Sequence, residues 1–171
     1  MRHQTHNGDP RVDPRFRSRT PWREKLDRPQ QPKVVNIPPR MQPRCGRGTM
    51  LIPTPRLIDE LMRKAPRGKL ITIGWMRHQL SERFGADTCC PLTTGIFWRI
   101  AAEAAAEELD QGKRPVTPYW RVVRDDGSLM QKIPGGLEAQ ARQLRAEGHV
   151  IERPSAKRLP RVKDFERRLL S

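Results

Sequence analysis

The sequence predicts a mainly α domain with a helix-turn-helix-like pair near its middle and a disordered basic tail on each side. Three observations carry this. Apolar residues recur at helical spacing in three stretches between Thr54 and Leu109. From Thr117 to Gly148 the chain reads as an extended run, a turn and a further helix. The charge lies mostly outside these elements: 12 basic against 4 acidic side chains in residues 1–48, 15 against 13 in 49–152, and 7 against 2 in 153–171.

These counts set the boundaries: a basic, Pro-rich segment over 1–48, a folded domain over 49–152 and a basic C-terminal tail over 153–171. With 171 residues, 35% hydrophobic and 5% aromatic, the chain can build a single modest core. No apolar run approaches a membrane span, and the Arg-rich N-terminus has no apolar stretch for secretion, so an intracellular protein is expected. Basic flanks on a nearly neutral domain suit a polyanion, most often nucleic acid. The alternative is that they serve solubility alone. Cys45, Cys89 and Cys90 have neither the spacing nor the neighbouring His of a zinc set, so no metal and no cofactor is expected. They read as small buried apolar residues.

In chain order, residues 1–48 have too few apolar groups to offset their ordering entropy, so they are expected to be mostly disordered. Two islands stand out. Thr20 can cap a short helix with Pro21 at its first position and Trp22 and Leu26 at i, i+4. Lys33 to Ile37 is a β-like run stopped by Pro38-Pro39. Either can dock on the domain or order on a partner.

Thr54 or Pro55 starts the first helix of the domain, with Leu57, Ile58, Leu61 and Met62 as its apolar stripe. Asp59 and Glu60 lie in its early turns, where the dipole favours them. Pro66-Arg67-Gly68 ends it, and Lys69 to Ile73 is an extended link. Gly74 to Phe84 is a second helix, with Met76, Leu80 and Phe84 on one face and Gly85 as its cap. After a loop at Asp87–Pro91, Thr93 or Thr94 caps a third helix to about Leu109, with Ile96, Phe97, Ile100, Ala101 and Ala104 inward. Two helices around a Gly-containing turn suggest a helix-turn-helix.

Thr117 to Val123 is a Pro-started, aromatic and β-branched run, and Asp125 to Ser128 is turn chemistry. Gly135-Gly136 opens a helix from about Leu137 to Glu147, stopped by Gly148. In the tail, Val162, Phe165, Leu169 and Leu170 form the apolar side of a short final helix that docks on the domain.

The segment Thr117–Gly148 resembles the C-terminal domain of the alkylguanine–DNA alkyltransferase family. That family has Pro-Cys-His-Arg-Val-Val, a Gly-containing turn, a Gly-rich stretch and a helix ending in Glu-Gly. Pro118, Arg121, Val122, Val123, Gly127, Gly135, Gly136, Glu147 and Gly148 match. Tyr119 stands at the reactive Cys and Trp120 at the His. The alkyltransferase-like sub-family also lacks the Cys, typically carrying Trp there, and binds lesions without repairing them. Tyr119 is similar in kind, whereas Trp120 departs from that sub-family, which keeps the His. Pro66-Arg67-Gly68-Lys69 with Thr72 and Gly74 looks like the family's entry into its helix-turn-helix, with Ile73 in place of a Tyr. Arg99 to Ala104 is similar to its recognition helix. The resemblance covers about residues 55–150.

It implies a winged-helix core and a DNA partner, in duplex form. Thr93, Thr94 and Arg99 would lie near the duplex, Arg99 filling the gap left by a flipped base. Tyr119, Trp120 and Arg121 would also contact nucleic acid, and Tyr119, Val122, Gly135, Gly136 and Glu147 would line the pocket. Direct alkyl transfer is not expected, because a phenol titrating near 10 is a poor nucleophile and Glu147 has no imidazole to orient. The first expectation is therefore a non-catalytic DNA-binding protein that recognises alkylated bases, cytoplasmic and nucleoid-associated. Alternatives are a general nucleic-acid or ribonucleoprotein binder reusing the fold, and a methyltransferase using a displaced thiol, Cys89 or Cys90, activated at a helix N-terminus.

Overall fold

The computed structural model describes residues 18–153 and 155–170. The chain runs through α1 (Trp22–Asp27), β1 (Lys33–Asn36), α2 (Gln42–Cys45), β2 (Thr49–Ile52), α3 (Pro55–Met62), β3 (Ile71–Thr72) and α4 (Ile73–Phe84). It continues through β4 (Thr88–Cys89), α5 (Pro91–Asp110), β5 (Val122–Val123), α6 (Gly136–Ala146), β6 (Ile151–Glu152) and β7 (Arg161–Val162). Single 3-10 turns occupy Pro39–Met41, Tyr119–Arg121 and Phe165–Arg168. The architecture is mainly helical, with small sheets.

The central helices follow from their end signals. Thr54 caps α3 by accepting from the Leu57 amide at 3.4 Å, with Pro55 in the first turn. Thr72 caps α4 by accepting from the Trp75 amide at 3.0 Å, and Gly85 ends it in the left-handed region at φ 63°. The third central helix, α5, begins earlier than expected. Pro91 takes the first turn and Cys90 is the cap residue, so neither Thr93 nor Thr94 caps it. The Thr94 hydroxyl is buried and donates to the Cys90 carbonyl at 2.7 Å.

This start also fixes which face points inward. Thr94, Trp98, Ala101, Ala102, Ala104 and Ala105 are buried, whereas Ile96, expected inside, is 49% exposed. The bulky Trp98 takes the place assigned to Ile96 and packs in the larger core with Leu51, Ile58, Met62, Met76 and Leu80.

Residues 18–48, expected to be mostly disordered, are ordered on the domain; residues 1–17 lie outside the described residues. The Glu107 carboxylate accepts from the Trp22 and Arg23 amides at 3.2 Å each, which satisfies the open N-terminus of α1 from another element. Leu26 is buried in the larger core, worth about 2 kcal/mol for such a side chain. The second island becomes β1, antiparallel to β2 with Lys33 opposite Ile52 and Asn36 opposite Thr49. β2 pairs in parallel with β4, Met50 beside Thr88 and Leu51 beside Cys89. Asp87 locks this edge by accepting from the Thr49 amide at 2.7 Å and hydroxyl at 2.9 Å.

The C-terminal tail docks, but not as a helix. Val162 lies in β7, antiparallel to β6, Phe165 in a 3-10 turn, and Leu169 bridges Leu70. Val162 and Phe165 join Leu70, Val123, Leu129, Ala141 and Leu144 in the smaller core. Gly127 sits at φ 79° against the Phe165 ring, leaving no room for a side chain at that position.

Candidate nucleic-acid interface

The site is built where the segment after α5 meets the end of α6. Thr117, before the turn, is buried and donates its hydroxyl to Asp59 of α3 at 2.6 Å. Asp59, expected as a dipole partner near a helix start, is thus a buried anchor. It also accepts from Arg63 at 3.0 Å. The following residues do not run on as a strand. Tyr119–Arg121 close a 3-10 turn, and only Val122–Val123 are extended, in parallel pairing with β3. The turn is held by its side chains. The Arg121 guanidinium donates to the Ala65 carbonyl at 2.6 Å and, from Nε and Nη2, to Glu147 at 2.8–3.1 Å.

Glu147 collects these contacts. Its Oε1 accepts from Trp120 Nε1 at 2.8 Å, and its Oε2 from the Gly68 amide at 3.3 Å. Burial alone would raise its carboxyl. The bonds from Arg121, Trp120 and Gly68 outweigh that and hold it below the usual carboxylate range. One carboxylate therefore ties together the Tyr119–Arg121 turn, the loop before β3 and the end of α6.

Gln140, which sequence reasoning missed, does a similar task from the middle of α6. Buried, it accepts from the Met130 amide at 2.8 Å and donates to the Trp120 and Val122 carbonyls at 3.1 and 2.8 Å. The signal was a polar residue on the apolar stripe of Leu137, Ala141 and Leu144. Asp125 fixes the next loop by accepting from the Gly74 amide at 2.7 Å; a Cβ at Gly74 would stand 2.5 Å from that oxygen.

A cleft of about 690 Å³ opens between α5, this turn and the start of α6. Tyr119, Gly135 and Gly136 line it, together with Trp120, Arg99 and Glu103. Val122 and Glu147, also expected there, do not: Val122 is fully buried in the larger core, and Glu147 is engaged by the turn. Arg121 is drawn onto Glu147 with its side chain 14% exposed, and Thr94 is enclosed, so neither presents a surface to a duplex. Arg99 pairs with Glu103 at 3.0 Å. The Tyr119 ring is mostly enclosed and meets Trp120 edge-on, with centroids 5.3 Å apart. Burial, then the nearby Asp110 and Glu103 carboxylates, push its phenol up.

The two candidate displaced thiols are buried. Burial pushes the Cys89 thiol up, the reverse of the activation expected at a helix start, and its Sγ lies 3.4 Å from the Thr94 hydroxyl. Among the described residues, no group of three or more His, Cys, Asp or Glu side chains is placed to hold a metal ion.

These features define a mainly helical domain with small sheets, whose aromatic turn is anchored on a buried carboxylate beside an open cleft. No protein-family model and no curated protein matches the chain. Among solved structures it is similar to the crystal structure of S. pombe Atl1 in complex with damaged DNA containing O6-carboxymethylguanine. That likeness has a TM-score of 0.47 at 16% identity and covers 68% of this chain and 94% of that one.

Proposed function

We propose that this chain is a DNA-binding protein that recognises alkylated bases in duplex DNA and does not repair them. On this reading α4 and α5 are the helix-turn-helix pair of a winged-helix domain. The observation that carries the non-catalytic part is the bond from Trp120 Nε1 to Glu147. An indole donates one hydrogen bond and accepts none at nitrogen, so it can hold Glu147 but cannot pass a proton between it and a nucleophile. Tyr119, its phenol pushed up by burial, stays neutral and is a poor nucleophile at physiological pH. The enclosed Cys89 thiol argues against a displaced acceptor.

Binding is supported by the cleft itself. It is lined by Tyr119, Trp120, the two glycines at the start of α6 and Arg99. A base turned out of the stack offers a π-face to such a wall, and stacking is worth about 1–3 kcal/mol per base. The test is competition between an alkylated and a plain duplex for the protein and for Tyr119→Ala. The wild type should prefer the alkylated duplex and the variant should lose that preference. If Tyr119→Ala leaves the affinity for each duplex as it is in the wild type, the base-pocket reading ends.

A second reading, a general nucleic-acid binder, is favoured by the enclosure of Tyr119, whose ring fills space that a base would need. It predicts a steep salt dependence with no lesion preference.

A further inference from the structure

A second groove, of about 1110 Å³, runs along the first half of α5. Its α5 side is apolar and open: Leu92 is 67% and Ile96 49% exposed, and Gly95 between them has open space where a Cβ would stand. Two separate elements add basic side chains to its lining. Arg40 and Arg44, both exposed, come from the helical turns over Pro39–Cys45, and Arg124 and Lys132 from the loops after β5. Arg99 lines it as well. Arg99 is paired with Glu103 at 3.0 Å; the lining also holds two carboxylates, Asp125, which accepts from the Gly74 amide, and Asp126, which accepts from the Ser128 amide at 3.0 Å.

One further feature points to an acceptor-rich occupant. The α5 N-terminus has no side-chain cap, so its positive end is presented at Pro91 and Leu92 on the same groove.

We propose that this groove is a duplex-DNA contact surface in which Arg40, Arg44, Arg124 and Lys132 take backbone phosphates and Leu92 and Ile96 make apolar contact with the bases. Charge complementarity selects the occupant: a basic lining around exposed aliphatic side chains suits a polyanion with apolar faces between its charges. Arg40 and Arg44 lie before residues 55–150, so the Pro39–Cys45 turns are an addition to the alkyltransferase-like part of the chain. The inference rests on the DNA-binding reading above and adds a groove beside the cleft at Tyr119, with Arg99, Gln131 and Lys132 lining both.

The experiment is fluorescence anisotropy of the full chain on a plain duplex at several salt concentrations, with R40Q/R44Q, R124Q/K132Q and L92S/I96S, each checked for folding by circular dichroism. Each charge pair should weaken binding on the order of tenfold and reduce the slope of log affinity against log salt by about 1.8, the value for two phosphates. L92S/I96S should weaken binding and leave the slope unchanged. If R40Q/R44Q matches the wild type in affinity and slope while the wild type still prefers alkylated duplex, the groove assignment is wrong and the DNA-binding reading stands. A wild type that binds no duplex at any salt overturns both. Equal binding to poly-glutamate would show that the groove takes polyanions without regard to bases, and would overturn the role of Leu92 and Ile96.

Discussion

Trp120 Nε1 lies 2.8 Å from Glu147 Oε1, so an indole N–H and not an imidazole holds this carboxylate. An indole holds a carboxylate without relaying a proton. Two substitutions test this. Wild-type protein incubated with a methylated oligonucleotide should gain no methyl group by mass spectrometry. Tyr119→Cys with Trp120→His should gain one, and Tyr119→Cys alone should react far more slowly. A wild-type adduct would show that the chain is an acceptor after all.

Glu147 gives a stability prediction with a defined sign. Its folded pKa is depressed, so the stability it contributes is fully present above its unfolded value of about 4.3 and is lost as pH falls through the folded value. Glu147→Gln should flatten the decline in melting temperature below about pH 4.3. Glu147→Ala should cost about 3–5 kcal/mol near neutrality, because it leaves the Arg121 guanidinium, 14% exposed, without its carboxylate. A denaturant melt within 1 kcal/mol of wild type, on the order of one ordinary hydrogen bond, would contradict this.

His149 acts in a higher window. It is buried, and neither imidazole nitrogen has a partner among the described residues. Burial, then Arg168, lower its pKa; Glu147 opposes and Arg121 adds to the lowering. The unfolded chain therefore binds the proton first. Stability is full above about pH 6.5 and falls as pH drops toward the folded value. His149→Leu should remove that decline between pH 7 and 5 and leave the protein equally or more stable at pH 5. An identical pH slope in both proteins would reject the assignment.

Gln140→Ala would strand three backbone groups, the Met130 amide and the Trp120 and Val122 carbonyls. At about 1–3 kcal/mol for each unsatisfied buried group, the loss should reach ~3 kcal/mol or more. Gln140→Glu, which keeps the acceptor and loses the donor, should be destabilised as well. A melting temperature unchanged in both variants would mean that water replaces these bonds.

Local signals were legible where the contacts were local. The caps Thr54 and Gly85 and the approximate ends of α6 could be placed from their own neighbourhoods. The start of α5 was misplaced because Pro91 at the first turn competes with two threonines that cap equally well on paper. Order in residues 18–48 was hidden because the group that satisfies α1 is Glu107, on α5, far along the chain. Composition counts the apolar residues of a segment; it does not show a carboxylate waiting elsewhere. At the site, Tyr119, Gly135 and Gly136 line one cleft. The inward turn of Val122 was not foreseen, since a 3-10 turn in place of a strand redirects the side chain that follows it.

The ring of Phe165 against Gly127, and Leu169 beside Leu70, have a consequence for how the chain assembles. On a growing polypeptide the larger core can collapse once α5 and the Tyr119 turn have been made. The smaller one keeps an open side until the last few residues emerge. Loss of those residues would leave the folded half intact and expose a sticky flank at Leu70 and Val123, a route to clumping rather than to simple unfolding.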